Sequence, residues 1–229
     1  MVSTRPRRPR SRSGVSGKGL GPLPMLRLYG ARAEHYDAEL APFEPLRAMA
    51  IERLLLRPGQ LVLDVGCGTG LSLEPLLRRL GPKGKVVGID QCSDMLAKAK
   101  ERLASRKDAL DKQVKLIHSP VDQARWAGPK ADAALFHFTH DILQHPASVA
   151  NVLAHLKPGA RVVATGLQWA PPWLVPVNLA VMGCALYSVS SLHGLLQPWR
   201  GLANGLDDVD VDATWMGSIF IASGNVPSH

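Results

Sequence analysis

A glycine run set directly behind an apolar segment constrains this chain more than any other feature. Val62-Leu63-Asp64-Val65 is apolar around a single acid, Gly66-Cys67-Gly68-Thr69-Gly70 follows without a spacer, and Asp90 stands twenty residues after Gly70. Glycines let the backbone approach a ligand at the carboxyl end of a strand, and the helix that follows turns its amino terminus to the same crevice. A carboxylate closing the second strand suits the hydroxyls of a ribose. Leu71 occupies the place of the last glycine of the dinucleotide fingerprint, and Asp64 puts a carboxylate two residues before Gly66, where a cationic ligand fits better than a pyrophosphate.

The surrounding pattern supplies the matching scaffold. Leu46, Met49, Ala50 and Leu54 recur at helical spacing until Arg57-Pro58-Gly59, Leu61 to Val65 reads as a strand, and Leu71 to Leu80 resumes a helix. A second strand runs from Lys85 to Asp90, Ser93 is placed to cap the next helix, and strands follow at Val114 to Ile117 and Ala131 to Phe138. Pro146 to Leu156 reads as a helix stopped by Lys157-Pro158-Gly159, with a fifth strand at Arg161 to Ala164. Near the end, Val209, Val211, Ala213 and Trp215 alternate with Asp208, Asp210, Asp212 and Thr214, Met216-Gly217 makes a turn, and Ser218 to Ser223 returns. The expected fold is α/β: a Rossmann-like, doubly wound, seven-stranded sheet, mostly parallel with an antiparallel C-terminal hairpin.

Charge is distributed unevenly. The net +8 of the chain includes +6 from Arg5, Arg7, Arg8, Arg10, Arg12 and Lys18, in twenty residues without an acid. A nucleic-acid groove should lie on the folded surface rather than in one tail, so no nucleic-acid partner is expected. Residues 1–24 carry no apolar period and read as a disordered basic leader, with one folded domain over 25–229. Cys67, Cys92 and Cys184 are far apart and odd in number, with no zinc spacing. Neither a disulfide scaffold nor a metal is expected, and the chain is read as cytoplasmic.

On Tyr29-Gly30 through Glu34-His35-Tyr36-Asp37, the glycine run, Gly88-Ile89-Asp90 with Met95-Leu96, and Leu156-Lys157-Pro158-Gly159, the sequence resembles the class I S-adenosylmethionine-dependent methyltransferases. It is similar to the broad type that includes ubiquinone and menaquinone C-methyltransferases. The resemblance implies S-adenosyl-L-methionine as cofactor, its methionine part held by Asp64, Gly66, Cys67 and Gly68, its ribose by Asp90, and its adenine surrounded by Gln91 and Met95. Tyr36 would close over it, and Phe136 would meet it at the end of the fourth strand. Where the family has Gly-Asp-Ala after the third strand, this chain has Ser119-Pro120-Val121, which leaves the Val121 backbone or Asp122 to meet the adenine. After the fourth strand the nucleobase-methylating run Asn/Asp-Pro-Pro-Tyr is absent, and His140, then His137, with Asp141 adjacent, are the candidate catalytic residues for an acceptor that must lose a proton.

Between Arg161 and Arg200 no Asp, Glu, Lys or Arg occurs. Trp173 to Leu192 has the length of a membrane span, but Pro176, Asn178, Gly183 and several serines dilute it, and a span there would split the sheet. The segment at about 167–200 is instead expected to be a lid, with Trp173, Leu174, Val177, Met182 and Leu186 over an acceptor pocket, and Trp199-Arg200 either clamping a substrate anion or anchoring that lid. The expected function is methyl transfer to an apolar or amphipathic small molecule. The alternatives are a phospholipid-type methyltransferase in peripheral contact with a membrane surface, and a non-catalytic cofactor-binding protein.

Overall fold

The computed structural model describes residues 40–105, 110–188 and 192–228. The expected leader and Tyr36 lie outside the described residues. A 3-10 turn at Ala41–Phe43 leads into α1 (Glu44–Arg53), then β1 (Leu61–Val65), α2 (Leu73–Leu80), β2 (Lys85–Asp90) and α3 (Ser93–Ala104). A second 3-10 turn at Leu110–Gln113 precedes β3 (Val114–His118) and β4 (Ala131–His137). The chain continues through α4 (His140–Leu143), α5 (Pro146–Ala154), β5 (Leu156–Leu167), α6 (Val175–Ser188), α7 (Arg200–Ala203), β6 (Asp207–Thr214) and β7 (Ile219–Asn225).

The seven strands lie in the order β3-β2-β1-β4-β5-β7-β6, the first five parallel and β7 antiparallel to both of its neighbours. This is the Rossmann-like architecture expected. Strand alternation divides the core between two faces. Val62, Val86, Leu135 and Val163 face α1, α2 and α3 through Ala50, Ile51, Leu73, Leu76 and Ala99, whereas Leu63, Ile89, Phe136 and Val162 face α5 and α7 through Val149, Val152 and Leu202. Asp64 belongs to the face of Val62, and His137 follows Ala133 and Leu135 onto that same face.

Several boundaries differ from expectation, each for a local reason. Pro146–Ala154 ends two residues early because Leu156 already pairs with Ala131, so Lys157-Pro158-Gly159 lies within β5, where a register shift and the positive φ of Gly159 (73°) absorb it. Cys92, not Ser93, is the N-cap of α3, and its N–H donates to Asp90 Oδ1 at 2.8 Å. Phe138 lies beyond β4 with φ 56°.

The segment expected as a lid forms α6, and its five expected residues do not share one face. Val181 and Ala185 are buried while Trp173, Met182 and Leu186 are exposed. Asn178 ties the helix to the end of β5, accepting from the Ala170 N–H at 2.9 Å and donating to the Ala170 and Pro171 carbonyls. No helix among the described residues is long and apolar enough to cross a membrane.

Candidate functional site

The carboxyl ends of β1, β2 and β4 meet at one edge of the sheet, and the glycine run crosses it. Gly66 N–H and Cys67 N–H both donate to the Ile89 carbonyl, at 2.8 and 3.1 Å, which bends the chain out of β1. Gly66 has φ 70°, and a Cβ there would stand 2.5 Å from Thr139 Cγ2, so only glycine permits the loop and the start of α4 to pack so closely. Arg102 on α3 donates to the Thr69 carbonyl at 3.0 Å and holds the far side of the loop.

Asp90 ties the site together rather than projecting freely from it. Its Oδ2 accepts from Gly68 N–H at 2.9 Å and its Oδ1 from Cys92 N–H. A carboxylate has about four acceptor positions, so a ligand hydroxyl can still be accommodated. Burial raises the Asp90 pKa, and the N–H groups of Cys92, Gly68 and Gln91 and the nearby His118 hold that rise back. Met95, Val121 and Cys67 are buried, and the Val121 carbonyl accepts from Asn151 Nδ2 at 2.7 Å; Gln91 is exposed, and its carbonyl contacts His118 Nε2 at 3.1 Å. Burial, with Asp64 and Asp90 nearby, pushes the Cys67 thiol well above its ordinary range, so Cys67 offers backbone rather than thiolate chemistry.

Arg47 is a buried cation that the sequence reading missed. It is only 4% exposed, donates from Nη1 to Ser72 Oγ at 2.8 Å and from Nε to Glu44 Oε2 at 3.0 Å, and its Nη2 has no partner among the described residues. Asp64, 1% exposed, has an unpartnered Oδ2 on the same face. Burial drives its pKa up to about 7, Arg47 opposing that rise and Asp90 adding to it. Both ring nitrogens of His137 and the hydroxyl of Thr139 are also buried and have no partner among the described residues, and burial, reinforced by the Arg47 charge, holds the His137 pKa well below the usual histidine range. A signal for Arg47 existed: it lies three and four residues before Ala50 and Ile51, a cation in the stripe that α1 buries.

Buried polar atoms in a folded protein have partners as a rule, so this cluster asks for a ligand. A cation, a carboxylate, a hydroxyl and an imidazole beside a glycine loop complement a zwitterionic α-amino acid, with its carboxylate toward Arg47 and its ammonium toward Asp64. The methionine part of S-adenosylmethionine meets that requirement.

Other expected site residues are placed differently. Phe136 is fully buried on the face opposite Asp64, so its ring belongs to the core and only its backbone reaches the strand end. His140 opens α4, and its Nε2 contacts the His193 carbonyl at 3.0 Å, which holds the ring toward the 192–205 segment; Asp141 follows it on the same short helix. Trp199 packs on the core, and Arg200 lines a separate cavity of about 1050 Å³ with Leu143, Val149, Trp169 and Leu195, not the glycine loop. An aromatic series runs outward from the site: His137 meets Phe138 edge-on, Phe138 meets Phe43 at 5.2 Å, and Phe43 stacks on Trp215 at 5.3 Å.

Comparison with known proteins agrees with this geometry. Residues 62–159 match the family model described as a methyltransferase domain. The chain is 30% identical over 129 residues to demethylmenaquinone methyltransferase of Staphylococcus aureus, covering 56% of this chain and 51% of that protein. It is 38% identical over 92 residues to trans-aconitate 2-methyltransferase of Rhodopseudomonas palustris, covering 40% and 31% respectively. It thus spans about a third to a half of the length of these curated relatives. The fold is shared with a SAM-dependent methyltransferase from Aquifex aeolicus, with a TM-score of 0.57 and 20% identity over 86% of this chain and 98% of that one.

Proposed function

We propose, from the premise that this chain carries a class I S-adenosylmethionine-dependent methyltransferase domain, that it transfers the methyl group of that cofactor to an apolar or amphipathic small molecule. The observation that carries the reading is the buried set of unpartnered polar atoms on Arg47, Asp64, His137 and Thr139 beside the glycine loop.

Arg47 and Asp64 would hold the carboxylate and ammonium of the methionine part, with Gly66, Cys67 and Gly68 lending backbone. Asp90 would take the ribose hydroxyls on the lone pairs that Gly68 and Cys92 leave open, and Gln91, Met95 and Val121 would flank the base. When bound, the cofactor supplies a methyl group on a sulfonium that its own charge already activates. What remains for the chain is to align an acceptor and to exclude water. Phe43, Phe138 and Trp215 supply an apolar approach to that centre. For an acceptor hydroxyl or acidic carbon, His137 stands first on geometry alone, since it shares the face of Asp64 and has a ring nitrogen to offer, while the burial and the Arg47 charge that keep it neutral also make it a weak base. His140, held at Nε2 by the main chain, stands second.

The cofactor assignment is tested by thermal unfolding with S-adenosylhomocysteine. At a hundredfold excess over its Kd the ligand should stabilise the chain by about 2.7 kcal/mol and raise Tm by roughly 5 to 10 °C, whereas NAD should leave it unchanged. A shift with NAD and none with S-adenosylhomocysteine would overturn the reading.

A further inference from the structure

Among the described residues nothing covers the outer face of α6. Val175, Leu179, Met182 and Leu186 recur at spacings of four, three and four residues, which places them on one helical stripe, and all four are exposed, Leu179 at 58% and Leu186 at 67%. The opposite stripe, Val181 and Ala185, is buried against the domain. A helix apolar on every side belongs in a core or in lipid, because water solvates neither face well. Here one half is covered by protein and the other is not.

The stripe continues onto two loops. Trp173, 78% exposed, precedes α6, and Trp215 and Met216, both exposed, form the turn between β6 and β7. The two loops touch: Gln168 Nε2 donates to the Gly217 carbonyl at 3.0 Å, and a Cβ on Gly217 would stand 2.9 Å from Pro171. Thr214 and Leu167 both register with Ile219, so this patch lies at the same sheet edge as the glycine loop. Trp215 also joins it to the site through Phe43 and Phe138.

We infer that this patch seats the protein on a lipid bilayer, so that the site opens at the membrane and takes an acceptor dissolved in it. The inference rests on the methyl-transfer reading for its second half only. Three observations favour a bilayer over a protein partner. The exposed positions around the stripe, Pro172, Pro176, Ala180, Gly183 and Cys184, are all uncharged, within a run of 38 residues free of Asp, Glu, Lys and Arg, so no charge on α6 or the loop before it offers a protein partner an ion pair. Two exposed tryptophans flank the helix, the side chain enriched where hydrocarbon meets headgroup. The six cations in the first twenty residues, with no acid among them, complement an anionic lipid surface. At 14 residues α6 is about 21 Å long, too short to span the roughly 30 Å hydrocarbon layer, so it lies in the plane of the interface.

The test is sedimentation of the full chain with vesicles of phosphatidylcholine, alone and mixed with phosphatidylglycerol. The chain should pellet with both, more strongly with the anionic mixture and less so in high salt. Leu179→Glu combined with Met182→Glu should weaken partitioning about tenfold or more while the thermal response to S-adenosylhomocysteine persists. Should the paired variant lose that response as well, Trp173→Ser, on an exposed loop, answers the same question by a smaller loss of partitioning. A wild-type chain that stays in the supernatant, partitioning untouched by these variants, or a concentration-dependent dimer that the paired variant abolishes would each overturn the inference. Vesicle binding involves no methyl transfer, so its failure is separate from a missing cofactor response, which would count against the methyltransferase reading.

Discussion

Asp64 sets the clearest pH dependence at the scale of single residues. With its pKa pushed up to about 7 by burial, the cofactor-free protein binds a proton there that the unfolded chain, near 3.8, gives up much earlier. The stability from this group is therefore full below about pH 4 and is lost as pH rises through about 7. Asp64→Asn should be more stable than the wild type at pH 8 without cofactor, by about 1 to 4 kcal/mol, and the difference should vanish toward pH 4. Ligand binding runs the other way, because an ammonium requires the carboxylate. Affinity for S-adenosylmethionine should rise by up to about tenfold per pH unit below pH 7 and flatten above it, and calorimetry between pH 5.5 and 8 reads this directly. A flat profile would show that Asp64 does not meet the ammonium. The two histidines differ for an equally local reason: His137 continues the alternation of β4 into the buried cluster, while His140 opens a new helix and engages the His193 carbonyl.

At the scale of elements, the critical junction is where the glycine loop meets α4. Gly66→Ala places a methyl 2.5 Å from Thr139 Cγ2 and 2.9 Å from Ile142 Cδ1 on a backbone with φ 70°, so both the loop and α4 must yield. We expect a loss of about 2 to 4 kcal/mol in the denaturant midpoint analysis, together with a loss of cofactor affinity. A variant with unchanged stability would mean that α4 can withdraw without cost. On the far edge of the sheet, Arg53 on α1 pairs with Asp210 at 2.9 Å and with Asp212 on β6, and Arg161 on β5 donates to the Arg53 carbonyl at 3.1 Å and to Ser223 at 2.8 Å. These exposed and half-exposed pairs orient α1 across the sheet and so contribute to placing Arg47, although each is worth only about 0 to 1 kcal/mol.

For the molecule as a whole, the thiols report whether the site is closed. Cys184 is exposed on α6, whereas Cys67 in the glycine loop and Cys92 at the cap of α3 are buried, and burial raises the pKa of both. The native chain at pH 7.5 should present one thiol that reacts rapidly with Ellman's reagent, and three after denaturation. Two or three fast thiols in the native chain would place the glycine loop in water. The same view makes sense of the uncharged stretch before Arg200: its described part forms a helix half sealed onto the domain by Val181, Ala185 and the Asn178 side chain, with Met182 and Leu186 left exposed.

The order of strands and helices, the antiparallel hairpin and the placing of Asp64, Gly66 and Asp90 at one edge were legible in the sequence, because period, glycine and spacing act within a few residues of chain. The limits of that reading are visible at Lys157-Pro158-Gly159, which signals a stop but lies inside β5 as a bulge, because Leu156 and Arg161 on either side of it both pair with β4. Arg47 and Ser72, joined at 2.8 Å, are 25 residues apart in the chain, and no local pattern records that α1 meets the start of α2. The surroundings of His137 and His140, the burial of the Phe136 ring and the exposed side of α6 were decided likewise only when the sheet closed. Each depends on which face a side chain takes and on what distant element covers that face, and those are properties of packing rather than of sequence.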